Sequence, residues 1–319
     1  MYKGKLIGVS VPSYNEEKLI GRVITTMPEF VDRIIVVDDC SRDNTAQAVQ
    51  ALQQQTGERL ILIRHETNQG VGGAVLSGHR RGFQEGMDVM VVMAGDAQMS
   101  PEDLPAILDP VVEGRADYAK GNRFFNREAW TKMPRLRFFG NAGLSMLTKI
   151  VSGYWHVSDS QSGYTALSRQ AFERLDLGNI RRGYHFENDM LIHLNVASLR
   201  VVDVPIQAVY GVGEKSGIRY LWAMFSFSWY LTGRFFWRLV EKYVIRDFHP
   251  LVFFYLFGIL LTPLGFLFGA YLALYRLISG LPVQDTSALF AALLFISGVQ
   301  FLLFAMGFDK DYNRPGERF

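Results

Sequence analysis

Carboxylates recur in this chain just past short hydrophobic runs. Glu16 follows Val9 and Val11, Asp38 and Asp39 follow Val36 and Val37, and Asp96 follows Val91, Val92 and Met93. Acids gathered on one edge of a structure repel one another unless a divalent cation or hydrogen-bond donors compensate them, so these positions point to a hard cation or a polar ligand. A second pattern is cationic: Lys120, Arg123, Arg127, Lys132, Arg135 and Arg137 lie within eighteen residues. Guanidinium forks match the oxygens of a phosphate. Asp43 and Ser100 have the simpler reading of turn and cap residues.

The elements that must position these groups follow from hydrophobic patterning. Residues 6–11, 33–37, 60–63 and 88–93 read as strands, each followed by a helical pattern, which predicts a βαβα succession and a parallel sheet. Helix starts are expected at Asn15, at Asp43, and at Ser100, where Pro101 takes the first turn. Ligands in open α/β sheets bind outside the carboxyl ends of the strands, where these acids fall. Gly70, Gly72 and Gly73 lack the spacing of a dinucleotide fingerprint and read as a helix start beneath a substrate loop. His65, His79 and His193 show no metal spacing and read as core or surface residues.

Lys+Arg 33 against Asp+Glu 31 gives a net charge of +2, so the chain has no global field of the kind nucleic-acid binding requires. The single cysteine, Cys40, excludes an internal disulfide framework and points to a reducing compartment. Residues 250–275 and 286–308, 26 and 23 long, hold no Asp, Glu, Lys, Arg or His. Each is long enough to cross a bilayer, with Pro263 expected to kink the first. Arg234, Arg238, Lys242 and Arg246 precede the pair, Lys310, Arg314 and Arg318 follow it, and the link carries only Arg276. By the positive-inside rule both ends face the cytosol. Residues 217–247 are aromatic, with Tyr220, Trp222, Phe225, Trp229 and Trp237 among those cations; recurring every four residues, the cations form one stripe of a helix suited to the headgroup layer.

In order and spacing these motifs resemble family 2 glycosyltransferases of the GT-A fold, specifically the membrane-bound polyprenyl-phosphate glycosyltransferases of the dolichol-phosphate mannose synthase type. The residues that carry the resemblance are Pro12 to Glu16, Asp38 and Asp39, Gly95 to Gln98, Gly121 to Arg123, Asp159 to Gly163, and the trailing pair of spans. It implies a nucleotide sugar, UDP- or GDP-hexose, held by Pro12, Tyr14, Glu16, Asp38 and Asp39. It also implies Mg²⁺ or Mn²⁺ at Asp96, with Gln98 and then Asp159 or Gln161 as further ligands. The family's Asp-x-Asp stands here as Ala94, Gly95, Asp96, one carboxylate short. The implied acceptor is a polyprenyl phosphate, already mostly dianionic at neutral pH and needing cations more than a base. Arg123 and Arg137 are the expected phosphate ligands, Asp159 the residue that orients the acceptor or completes the metal shell, and Lys215 a diphosphate contact. Glu187 and Asp189 read equally as a functional acid or as helix-start acids.

The expected organisation is a cytosolic GT-A domain over residues 1–216, juxtamembrane amphipathic helices over 217–248, two transmembrane helices over 249–308 and a cytosolic tail over 309–319, in an integral protein of the plasma (inner) membrane or its equivalent. The expected reaction is inverting, metal-dependent hexose transfer to polyprenyl phosphate at the cytosolic face, in which no nucleic acid takes part. The alternatives are a processive polysaccharide synthase, whose Arg-Trp motif is not in this sequence, and an inactive nucleotide-sugar-binding scaffold. Oligomeric state stays open, a homo-oligomer included.

Overall fold

The computed structural model describes residues 1–125, 135–207 and 220–314. The chain divides into two compact units, the first ending at Arg234 and the second beginning at Phe235.

In the first unit the β-branched runs become strands β1 (Ile7–Ser13), β2 (Arg33–Asp38), β3 (Leu60–Arg64) and β4 (Val89–Val92), all parallel where they pair. They are joined by β5 (Tyr118–Asn122), β6 (Thr165–Ser168) and β7 (Val201–Pro205). Among the described residues these make a seven-stranded sheet in the order β3-β2-β1-β4-β6-β5-β7. β6 runs antiparallel to both β4 and β5, so β5 points the same way as β4. The carboxyl ends of β1, β2, β4 and β5, and the segment entering β6, therefore share one sheet edge.

The strands read as unbroken apolar runs because both faces of the sheet are covered. Ile34 and Val36 face a core with α1 (Ile20–Thr25), α2 (Thr45–Thr56) and α4 (Leu104–Val112). Ile35 and Val37 face the opposite core, with α3 (Val71–Gln84) and α7 (Phe186–Val196). Among the described residues this part also holds α5 (Arg135–Ser152) and α6 (Arg169–Arg174). Ser100 caps its turn as expected, its Oγ accepting from the Glu102 N–H, with Pro101 next. The helix expected at Asn15 begins instead at Ile20. Asn15 takes a positive φ of 59° and its side chain accepts from the Arg42 N–H, which builds a turn before the helix.

α8 (Tyr220–Val240) crosses the boundary between the units and continues as a wider π-type turn over Glu241–Arg246. The second unit then continues into two long helices, α9 (Leu251–Ser279) and α10 (Asp285–Tyr312). α9 runs through Pro263 as one helix. Both are long and apolar enough to cross a membrane, and only 22% and 17% of their most apolar windows are buried. Large side chains such as Leu256, Phe266, Leu267, Leu293 and Leu303 are exposed, the reverse of a soluble core helix. The helices meet along small residues. Gly258 and Gly265 on α9 and Ala291, Gly298 and Ala305 on α10 are buried at seven-residue spacing. A Cβ on Gly265 would run into the Phe295 backbone and one on Gly298 into that of Thr262. Such close approach favours association where no hydrophobic drive between helices exists.

Candidate functional site

The β1, β2 and β4 ends surround a cavity of about 450 Å³ lined by Pro12, Ser13, Tyr14, Asp39, Asn68, Gly70, Ala94 and Tyr184, among others. It sits where the chain's strand order reverses beside β1, as expected for a ligand crevice in an open α/β sheet. Asp39 is buried at its rim and organises it. Its Oδ1 accepts from the Gln69 N–H and its Oδ2 from the Gly70 N–H, both at 2.8 Å, while His65 Nδ1 lies 2.7 Å from Oδ1. His65 Nε2 lies 3.0 Å from Ser77 Oγ on α3. Gly70 has φ 80°, and a Cβ there would come within 2.7 Å of the Arg182 carbonyl oxygen. The glycines thus start α3 beneath a packed loop, as their spacing implied. Asp38, also buried, accepts from the Ser41 N–H and pairs with Arg64.

Beside the cavity, Glu16 and Asp96 form a second group. Burial first, then the nearby Asp96 and Asp43 carboxylates, push Glu16 up to about 7. Asp96 Oδ1 accepts from the Gln98 N–H at 3.1 Å, and Ala97 between them takes a φ of 56°. Asp43 is a turn residue, accepting from the Thr45 N–H and hydroxyl and from the Glu17 N–H. Among the described residues no group of three or more His, Cys, Asp or Glu is placed to hold a metal. The donor set at Glu16, Asp96 and Gln98 nonetheless suits a hard cation. Its side-chain acceptors are oxygens, and although burial is the larger cause of the raised Glu16 value, the part due to Asp96 and Asp43 is repulsion that a cation would relieve. The protein's share of such a shell is small, so most ligands would come from a diphosphate and water.

The third group lies at the β5 end. Arg123 grips Asp159 through Nε to Oδ2 at 2.7 Å and Nη2 to Oδ1 at 3.0 Å, and the Arg123 N–H adds a third bond at 3.1 Å. Burial alone would raise the Asp159 carboxyl; the Arg123 charge and hydrogen bonds outweigh it and hold the group below the usual carboxylate range. Buried Lys120 donates to the Ser162 carbonyl oxygen and pairs with Glu187 at 2.9 Å. The Gln161 amide donates to Asn188 Oδ1 at 2.8 Å, tying the Asp159 loop to α7. Asp189, fully buried, accepts from the Arg181 N–H and pairs with Arg234 at 2.8 Å.

The sheet thus brings Pro12, Tyr14, Glu16, Asp38, Asp39, Asp96, Gln98, Arg123, Asp159 and Gln161 to one edge, in three groups with different internal partners. Arg127, Lys132 and Lys215 lie outside the described residues, as do the side chains of Arg135 and Arg137. The basic stripe of α8 is corrected by the structure. Arg234 turns to Asp189 and Tyr230 in the first unit. In the second, Arg238 and Lys242 are buried against Asp309 and Asn313, and only Arg246 remains exposed, beside Glu241. His65, expected in the core or at the surface, has a buried side chain and also braces the cavity rim through Asp39; its place directly after β3, at the same edge as the acids, is the signal for that second role. His79 is a core residue, lowered to about 3 by burial.

Residues 9–176 match the family described as Glycosyl transferase family 2. A UDP-N-acetylglucosamine–dolichyl-phosphate N-acetylglucosaminyltransferase of Methanococcus voltae is 34% identical over 218 residues, 65% of this chain and 86% of that protein. The chain belongs to glycosyl transferase family 2. A polyprenol monophosphomannose synthase of Mycolicibacterium smegmatis is 31% identical to this family 2 glycosyltransferase over 235 residues, 71% of this chain and 87% of the other. In structure, a Mycobacterium tuberculosis glucosyl-3-phosphoglycerate synthase solved with Mn²⁺, UDP and glucosyl-3-phosphoglycerate superposes with a TM-score of 0.52 at 19% identity, covering 74% of this chain and 80% of that one. That likeness bears on the fold, the mainly parallel GT-A sheet expected from the motifs.

Proposed function

We propose that this family 2 glycosyltransferase moves a hexose from UDP- or GDP-sugar to a polyprenyl phosphate, with inversion, at the cytosolic face of a membrane. The observation that carries the reading is the convergence, on one sheet edge, of the Tyr14–Asp39 cavity, the Glu16–Asp96 acids and the Arg123–Asp159 pair, in a chain that continues into two exposed apolar helices. The dolichyl phosphate named for the relative from M. voltae and the polyprenol monophosphomannose named for that from M. smegmatis support the acceptor class.

In this reading residues 1–216 form the catalytic domain, 217–248 the juxtamembrane region, 249–308 the two membrane crossings and 309–319 the tail. The donor's nucleoside lies in the cavity, with Tyr14 against the base and the Asp39-braced turn at Gln69 and Gly70 forming its wall. A cation held at Asp96, with Glu16 and Gln98 beside it, would supply charge neutralisation to the departing diphosphate. The acceptor phosphate is its own nucleophile, its second pKa being near 6. Arg123 draws that phosphate to the sheet edge. Asp159 fixes the plane of the guanidinium and, held ionised and buried, is a poor proton acceptor. Arg137 and Lys215 remain proposed contacts to phosphate and diphosphate.

The test is to incubate membranes carrying the protein with labelled UDP-glucose, UDP-N-acetylglucosamine or GDP-mannose and undecaprenyl or dolichyl phosphate. A lipid-extractable labelled product is expected from one donor. Polymer, or only water-soluble conjugates with every isoprenoid offered, would overturn the reading.

A further inference from the structure

The cavity at the β1 end has a wall contributed from far along the chain, by Gly183 and Tyr184. Tyr184 is 74% exposed and Tyr14 is 43% exposed, although both residues line the same concavity. A large aromatic left that open on a loop gains little from packing in the free protein.

The loop that carries Tyr184 is nonetheless held at fixed points on both sides. Toward the cavity, the Gly72 N–H donates to the Arg182 carbonyl oxygen at 2.7 Å, and Arg182 Nη1 donates to Gln69 Oε1 at 3.0 Å. Toward α8, the His185 ring stacks on Tyr230 with centroids 4.7 Å apart and meets Phe227 edge-on at 4.2 Å. The Arg181 guanidinium lies over the Tyr230 ring at 5.4 Å, and Arg234 Nη2 donates to the Asn179 carbonyl oxygen at 2.7 Å. An exposed ring on a braced loop beside a ligand-sized cavity is a preformed stacking surface, because little is lost in ordering it when a flat ligand arrives.

We propose that Tyr184 is a donor-binding residue that stacks on the nucleobase from the wall opposed to the strand-end loop of Tyr14, and that Tyr230 of α8 positions it through His185 and Arg181. The ligand class is a nucleoside diphosphate. Every base has a π face, so Tyr184 contributes affinity without choosing between uracil and guanine. This inference rests on the donor reading above and names a residue for it.

The experiment is equilibrium binding of UDP and of GDP to the full chain in detergent, without acceptor. For whichever nucleotide the parent binds, Tyr184→Ala is expected to weaken affinity about tenfold, the effect of one base–aromatic stack. Tyr184→Phe should retain it, since the ring rather than the hydroxyl makes the contact. Tyr230→Leu should weaken binding too, and the double variant should be no worse than Tyr184→Ala alone, the non-additivity of residues acting through one another. Affinity of Tyr184→Ala within twofold of the parent overturns the stacking role, and additive losses in the double variant overturn the positioning role. A parent that binds neither nucleotide overturns the donor reading and this inference together, an outcome distinct from either of the others.

Discussion

Arg123 and Asp159 form a two-pronged ion pair, 2.7 and 3.0 Å, in which the carboxylate is wholly buried and the guanidinium partly so. The geometry makes each the other's support. Removing the arginine leaves an uncompensated buried anion, at a stability cost of about 3–5 kcal/mol. Arg123→Ala should therefore both lower the melting temperature and abolish transfer to lipid phosphate, while Asp159→Asn should leave the arginine in place but loosely aimed. For Asp159→Asn the expected result is a fall in kcat of roughly 10²-fold with donor affinity unchanged, the size of effect seen when a positioned group is misplaced. Steady-state kinetics with saturating nucleotide sugar check this, and unaltered lipid turnover would remove the assignment.

Glu16 gives a pH signature. Its folded value, pushed up to about 7 from 4.5, means that the contribution of this group to stability is fully present below about 4.5 and is lost as pH rises toward 7. A divalent cation needs the ionised form, so Mn²⁺ should stabilise the protein more at pH 8 than at pH 5.5. Glu16→Gln should flatten that difference. Thermal melts with and without Mn²⁺ at the two pH values read it directly; an equal pH slope in the variant would contradict the coupling to Asp96.

Asp96→Asn removes one of the two acids behind that shift. Glu16 should then titrate nearer its ordinary range, and sugar transfer should fall at least 10²-fold if charge at the diphosphate is what the site neutralises. Full turnover of the parent enzyme in the presence of a chelator would reject the metal role.

The strands carrying these groups were legible because a sheet covered on both faces leaves runs such as Ile34 to Val37 with no polar interruption. β6 was not. Thr165–Ser168 is four residues long, and its pairing with β4 and β5 is a matter of tertiary register. α1 starts at Ile20 rather than at Asn15 because Asn15, which with Glu16 has the look of cap chemistry, sits in the left-handed region and bridges to Arg42. The stripe of cations at every fourth residue was visible, but not the direction in which it turns. The acids that claim Arg234 and Arg238 lie 45 and 71 positions away, a separation at which sequence pattern carries no information. The convergence of the site residues followed from their places at strand ends, and His65, directly after β3, carried the same signal; Tyr184, reached only through loop packing, did not.

In the second unit, Gly265→Leu should separate α9 from α10, because the added side chain meets the Phe295 backbone rather than a side chain able to move. The expected outcome is lower thermal stability in detergent with nucleotide binding unchanged. Loss of nucleotide affinity in this variant would show that the helix pair serves more than attachment.

Asp309 closes the last turns of α10, where Arg238 meets it at 2.9 and 3.0 Å, the Tyr243 hydroxyl donates to it, and Asn313, itself bonded to Lys242, completes the cluster. An acid at the end of an apolar helix becomes tolerable only once its counterion lies against it. Removing either partner would therefore leave the other buried and uncompensated, so one ion pair between positions seventy-one apart ties the end of α8 to the close of α10.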